Sequence, residues 1–232
     1  MNSDLLHRGG IDLGLFTLSE TVLDTWGLML LLTGVSWLVT RRLQFNPGRW
    51  QTVLEGVVSV ACNAIEGMQP GHIRELMPLI TTLWIFLVFA NLMGLVPGLH
   101  SPTEDLSLTA ALAIIVFVSV HWYGIRISGF RAYMRHYLSP TPLMLPFHVL
   151  SEITRTLALA VRLFGNMMSL SMAALLVLMV AGFLAPVPIL MLHIVEALVQ
   201  AYIFGILALI YIASGLQSQQ SRLEQPEGET HE

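Results

Sequence analysis

Between Phe147 and Leu184 the chain contains no proline, and its only glycines are Gly165 and Gly182. A continuous helix over that stretch is about 57 Å long at 1.5 Å per residue, against ~30 Å of bilayer hydrocarbon. It must break or lie far from the membrane normal. In its middle, within Ala160-Val161-Arg162-Leu163-Phe164-Gly165-Asn166-Met167, stands one arginine among mostly apolar neighbours. An arginine at that depth costs at least about 2.5–3.5 kcal/mol on insertion scales. A charge so placed is read as functional, with a partner to be found.

The rest of the chain is of the same kind. It is 55% hydrophobic and only 11% charged, where soluble domains carry about 25% charged residues. An all-α polytopic membrane protein is expected, with about five membrane helices and one amphipathic surface helix. A net charge of −4 with an acidic tail gives no purchase for nucleic acid. The single cysteine, Cys62, excludes an intramolecular disulfide and a cysteine-built metal site, and reads as a small packing residue.

Residues 1–20 are expected to be an outer N-terminal segment. Asp4, Asp12 and Glu20 against Arg8 do not make a secretion signal. The first membrane helix falls in 21–42, with Trp26 and Trp37 near its ends and Arg41 and Arg42 closing it. Over 46–74, Trp50, Val53, Leu54, Val57, Ala61, Ala64 and Ile65 recur near helical spacing, interrupted by Glu55, Asn63 and Glu66. That pattern predicts an amphipathic helix on the cytoplasmic surface. A transmembrane hairpin occupies 76–125, as Leu76–Val96 and Leu106–Ile125 joined by a loop carrying Glu104 and Asp105. His121-Trp122-Tyr123 reads as an interfacial belt. A basic cytoplasmic loop follows at 126–142, and residues 143–216 form a pair of long tilted helices turned at Ala185-Pro186-Val187-Pro188. The last of these, Ile189–Leu216, would be about 42 Å long and need roughly 45° of tilt to fit the same slab. The polar stretch 217–232 is expected to be a disordered cytoplasmic tail. With the N-terminus outside, Arg41, Arg42, Arg49, Arg74, Arg126, Arg131, Arg135 and Arg222 fall on the inner side and only Arg8 on the outer, as the positive-inside rule requires.

The polar residues of the long helices are ordered. Glu152, Arg155, Arg162, Asn166 and Ser169 follow at spacings of 3, 7, 4 and 3, which puts them within about a third of the helix circumference. His193, Glu196 and Gln200 follow the same rule on the last helix. Glu152 falls near the inner face, Arg162 deeper, and His193 and Glu196 nearer the outer face. Two polar patches on opposite sides of a permanent cation describe two offset half-passages for an ion, not an open pore. Plainer roles stand beside these. Arg155 with Glu152 reads either as an interfacial ion pair or as part of an ion access route. His193 reads as a bundle histidine or, with Glu196 one turn away, as a relay. Gln200 and Asn91 read also as hydrogen-bonding glue between helices, and His148 as an interfacial residue.

Arg162-Leu163-Phe164-Gly165-Asn166-Met167, preceded by Ser151-Glu152-Ile153 and followed by a helix with His193 and Gln200 separated by six residues, closely resembles subunit a of the membrane sector of rotary F-type ATP synthases. Asn91-Leu92-Met93-Gly94-Leu95-Val96-Pro97 is similar to the same family's signature on its span, and the resemblance covers about residues 76–214. It implies a ring of small hairpin subunits, each with one ion-binding carboxylate, turning against the two long helices. The further partners implied are a peripheral-stalk subunit and, through the complex, the soluble ATPase sector. Arg162 would match the essential arginine, favouring the ionised ring carboxylate and blocking a direct return of the ion. Gln200 matches the glutamine facing that arginine, Asn166 its polar neighbour, and His193 and Glu152 the outer and inner passages. The resemblance implies a bacterial inner-membrane location. Many bacterial members carry a carboxylate nine residues after the arginine, where this chain has Ser171. Glu196 is the acid expected to replace it, so Glu196→Gln should abolish coupled flow and Ser171→Ala should be mild. The departure fits a divergent bacterial branch and leaves proton and sodium open.

A haem or quinone electron-transfer subunit would want histidines paired at one depth, and His148 and His193 lie toward opposite faces. A secondary transporter would usually show repeated halves, and none is visible. The chain has no GxxxxGK[ST] loop, so ATP chemistry belongs to a partner and this chain is expected to be a non-catalytic translocating subunit without a cofactor.

Overall fold

The structure is a computed structural model that describes residues 11–12, 17–18, 20–41, 49–69, 71–96, 101–130, 145–182, 185 and 187–223. These form six long helices: α1 Glu20–Thr40, α2 Arg49–Met68, α3 Ile73–Met93, α4 Leu106–Ser128, α5 Leu145–Ala181 and α6 Val187–Leu223. A 3₁₀ turn, Pro102–Glu104, precedes α4, and a two-residue strand pair, Ile11–Asp12 with Thr17–Leu18, lies before α1. Five helical stretches are long and apolar enough to cross a membrane: Thr21–Thr40, Ile73–Met93, Leu106–Ile127, Pro146–Val180 and Val187–Ser214. The amphipathic α2 is not among them. It buries Ala61 and Ile65 while exposing Val57, Val58 and Val60, and the Sγ of Cys62 meets Met77 Sδ at 3.7 Å. This is the all-α polytopic membrane architecture that the composition predicts.

The core lies where α3, α4, α5 and α6 meet, around Leu87, Leu163, Met167, Phe204 and Leu209, while α1 leaves Trp26, Leu30 and Trp37 exposed. Small residues let the helices approach. Ala197, Ala201 and Gly205 recur at intervals of four on α6, the small-residue spacing that brings membrane helices together. A Cβ on Gly205 would collide with the Trp84 indole of α3, and that indole stacks on Tyr202 at 5.4 Å.

Helix ends follow local chemistry. The Asp105 side chain accepts from Ser107 N–H at 2.9 Å and caps α4. Gly129 (φ 82) and Gly182 (φ 83) take the left-handed backbone that ends α4 and α5. Gly182 therefore stops α5 before Leu184, the limit of the apolar run. At the other end α6 continues through residues 217–223, past the end of its apolar stretch. Polarity removes burial, not helix propensity: Gln, Ser, Arg and Leu extend an existing helix readily, and no helix breaker occurs before Pro226. Residues 224–232 and most of the 126–142 loop lie outside the described residues.

Candidate functional site

The two long helices run antiparallel, and one hydrogen bond sets their register: Asn166 Nδ2 donates to Gln200 Oε1 at 2.8 Å. Counting outward from that bond, Arg155 is level with Tyr211 and Ser171 with Val195 and Glu196. The Arg155 guanidinium accordingly lies 5.1 Å from the centre of the Tyr211 ring. Arg162, one turn before Asn166, is exposed on α5. Among the described residues no hydrogen bond, ion pair or ring contact engages its guanidinium. Gln200 is 2% exposed, and its Nε2 has no hydrogen-bond partner among the described residues.

On the N-terminal side of Arg162, about 9–15 Å away along α5, Glu152, Arg155 and Thr156 line a small cleft with Tyr211 of α6 and Phe117 of α4. Arg155 Nη1 also donates to Ser214 Oγ at 3.4 Å, so it turns toward α6. His148 is exposed one turn before Glu152.

On the C-terminal side a denser network joins four elements. Asn91, fully buried on α3, donates from Nδ2 to the Ala197 carbonyl at 3.2 Å and accepts at Oδ1 from Thr103 Oγ1 at 2.8 Å. Its own carbonyl lies 3.3 Å from His193 Nε2. A carbonyl only accepts, so that contact needs the proton on Nε2. Ser101 Oγ donates to the Ala90 carbonyl at 2.9 Å and lies 2.7 Å from Thr103 Oγ1. Ser171 Oγ donates to Glu104 Oε1 across the turn–α5 boundary.

The structure thus brings together Asn166 with Gln200, and Asn91 with His193. It does not join His193 to Glu196 by a hydrogen bond; Glu196 sits half-exposed at the edge of the buried α6 face, and Ser169 is exposed. Glu104, Thr103 and Ser101 are the residues that sequence reasoning missed as members of this cluster. The available signal was an acid in a short connection between two spans, at the same end of the bundle as a serine where an acid was expected. Asn91 does act as a helix-to-helix hydrogen bonder, and it also fastens the Pro102–Glu104 turn.

Comparison with known proteins gives the family. A family model described as ATP synthase A chain matches residues 22–213. The chain is 59% identical over 226 residues to ATP synthase subunit a 2 of Pelobacter propionicus, covering 97% of each chain. It is 62% identical over 217 residues to ATP synthase subunit a 1 of Hahella chejuensis, covering 94% of this chain and 92% of that one. To ATP synthase subunit a of Legionella pneumophila it is 54% identical over 216 residues, covering 93% and 94%. With a family match across nearly all of its helices and relatives of this identity and coverage, the chain belongs to the ATP synthase A chain family.

Proposed function

We infer that this protein is the ion-translocating stator subunit of a rotary ATP synthase, and that Arg162 divides two half-passages which serve the carboxylates of a rotating ring. The observation that carries this is Arg162 itself: exposed on a long apolar helix, unpaired among the described residues, and flanked on both sides by polar clusters. A permanent cation in such a place needs an anion from another chain. A ring carboxylate passing α5 supplies one, and its ionised form is favoured while it faces the guanidinium. Its ion is then released into one passage before another is taken from the other. Each charge crossing is driven by about 2.3 kcal/mol per 100 mV.

In this reading the cleft at Glu152 and Arg155 opens to the cytoplasm, and the cluster of Asn91, His193, Glu196 and Ser171 opens to the outside. Asn166 and Gln200 stand at the meeting point, where the spare Nε2 donor of Gln200 is available to a passing carboxylate or a water molecule. Glu196 is the acid of the outer passage on α6. The ion is a proton, the N-terminus lies outside and the C-terminus inside a bacterial inner membrane, and a peripheral stalk holds the subunit still. The test is Arg162→Gln in the assembled complex, in inverted vesicles, with ATP-driven acidification and sodium uptake followed in parallel. Loss of uptake of either ion with the complex still assembled is expected; coupled uptake at the wild-type rate would refute the reading.

A further inference from the structure

Beyond Arg162 in the C-terminal direction, α5 has no titratable side chain at all: Asn166, Ser169 and Ser171 are its only polar groups. A cation crossing that part of the bundle must find its charged group on another element. Glu104 is the acid that reaches α5. Its Oε1 accepts from Ser171 Oγ, two and a half turns beyond Arg162. It is not there to build its own turn. Backbone bonds close the turn, Glu104 N–H to Ser101 O at 3.0 Å and Asp105 N–H to Pro102 O at 3.2 Å. The neighbouring Asp105 takes the capping duty, accepting from Ser107 N–H and, at 2.9 Å, from Thr21 Oγ1 of α1.

The turn is also held in a fixed place. Thr103 and Ser101 pin it to Asn91 and Ala90 of α3, and Asn91 is tied to Ala197 and His193 of α6. Gly94 leaves the room it needs: a Cβ there would stand 3.0 Å from Ser101 Cβ and 3.4 Å from Glu104 Oε1. One carboxylate is thus anchored against α5, level with Glu196 and bonded through its turn to the support of His193.

We propose that Glu104 is the relay carboxylate of the outer passage on the α5 side, with Ser171 as its positioning residue. It binds one cation from the outer side and releases the same cation inward toward the ring carboxylate, so its own charge is restored in each cycle. Ser171 gives the carboxylate one fixed hydrogen bond and leaves the second oxygen to the ion. This inference rests on the half-passage reading above and adds a residue to it that lies on the α3–α4 connection.

The test uses the complete ATP synthase in inverted vesicles, with ATP-driven acidification and sodium uptake measured together. Glu104→Gln keeps the acceptor for Ser171 and removes the charge, so the complex should assemble and coupled uptake should fall on the order of 10²-fold. Ser171→Ala should lower it by about fivefold, the effect of one lost hydrogen bond. The double variant Glu104→Gln with Ser171→Glu returns a carboxylate to the same place from the other side of the contact and should recover much of the rate. A structural role for Glu104 predicts no such recovery. Uptake by Glu104→Gln within about twofold of wild type, or a double variant no better than the single, would overturn the proposal. Arg162→Gln, run alongside, separates the two ideas: if it alone abolishes uptake, the half-passages stand and Glu104 falls; if it too is coupled, the underlying reading falls first.

Discussion

Asn91 illustrates how much a single buried amide can organise in a bundle of apolar helices. Its Nδ2 holds α6, its Oδ1 holds the Pro102–Glu104 turn, and its backbone carbonyl receives His193. Inside a bilayer such groups have no water to fall back on, yet measured interhelical hydrogen bonds contribute only about 1–2 kcal/mol each at most. Asn91→Leu should therefore lower the stability of the detergent-solubilised complex by about 2 kcal/mol and loosen the turn, without unfolding the bundle. Thermal denaturation beside Asn63→Ala, on the exposed face of α2, checks this; equal midpoints would contradict it. Glu196 makes a different prediction, because among the described residues it supports no neighbour through a hydrogen bond. Glu196→Gln should leave the melting point unchanged and reduce coupled uptake on the order of 10²-fold. The stripes that carry Asn166 and Gln200 were legible in their helical spacing, but the hydrogen bond between them was not, because periodicity within each helix does not set the register between two helices. Glu104 was not, because its partner lies 67 residues away and no periodicity links a turn to a helix.

Among the elements, α6 carries the tightest constraint. Its small residues press against α3, and Gly205 faces the Trp84 ring with no room for a Cβ. Gly205→Ala should cost about 1–3 kcal/mol by overpacking and reduce the amount of assembled complex in membranes. Adding Trp84→Phe should recover part of the loss; an alanine variant as stable as wild type would contradict the close packing of α3 on α6. The helices themselves were readable from the sequence because apolar runs, proline–glycine breaks and arginine ends all mark membrane spans. Their last residues were less so. Gly182 ends α5 through backbone geometry, which hydropathy does not report, and α6 outruns its apolar stretch because helix formation continues where burial stops.

For the whole molecule, the two polar clusters matter through their separation. The Thr156 cleft lies on one side of Arg162 and the Ser171–Glu104 contact on the other, each about 9–14 Å along α5. Nothing in composition distinguishes a continuous channel from two passages that end blind at an arginine. If the account is right, the two clusters open to opposite sides of the membrane. The direct measurement is thiol labelling by a membrane-impermeant reagent in right-side-out and inverted vesicles, on complexes with Cys62→Ser and either Thr156→Cys or Ser171→Cys. Thr156→Cys should react only from the cytoplasmic side and Ser171→Cys only from the outside. Reaction of either thiol from both sides, or of both from the same side, would contradict two half-passages divided at Arg162.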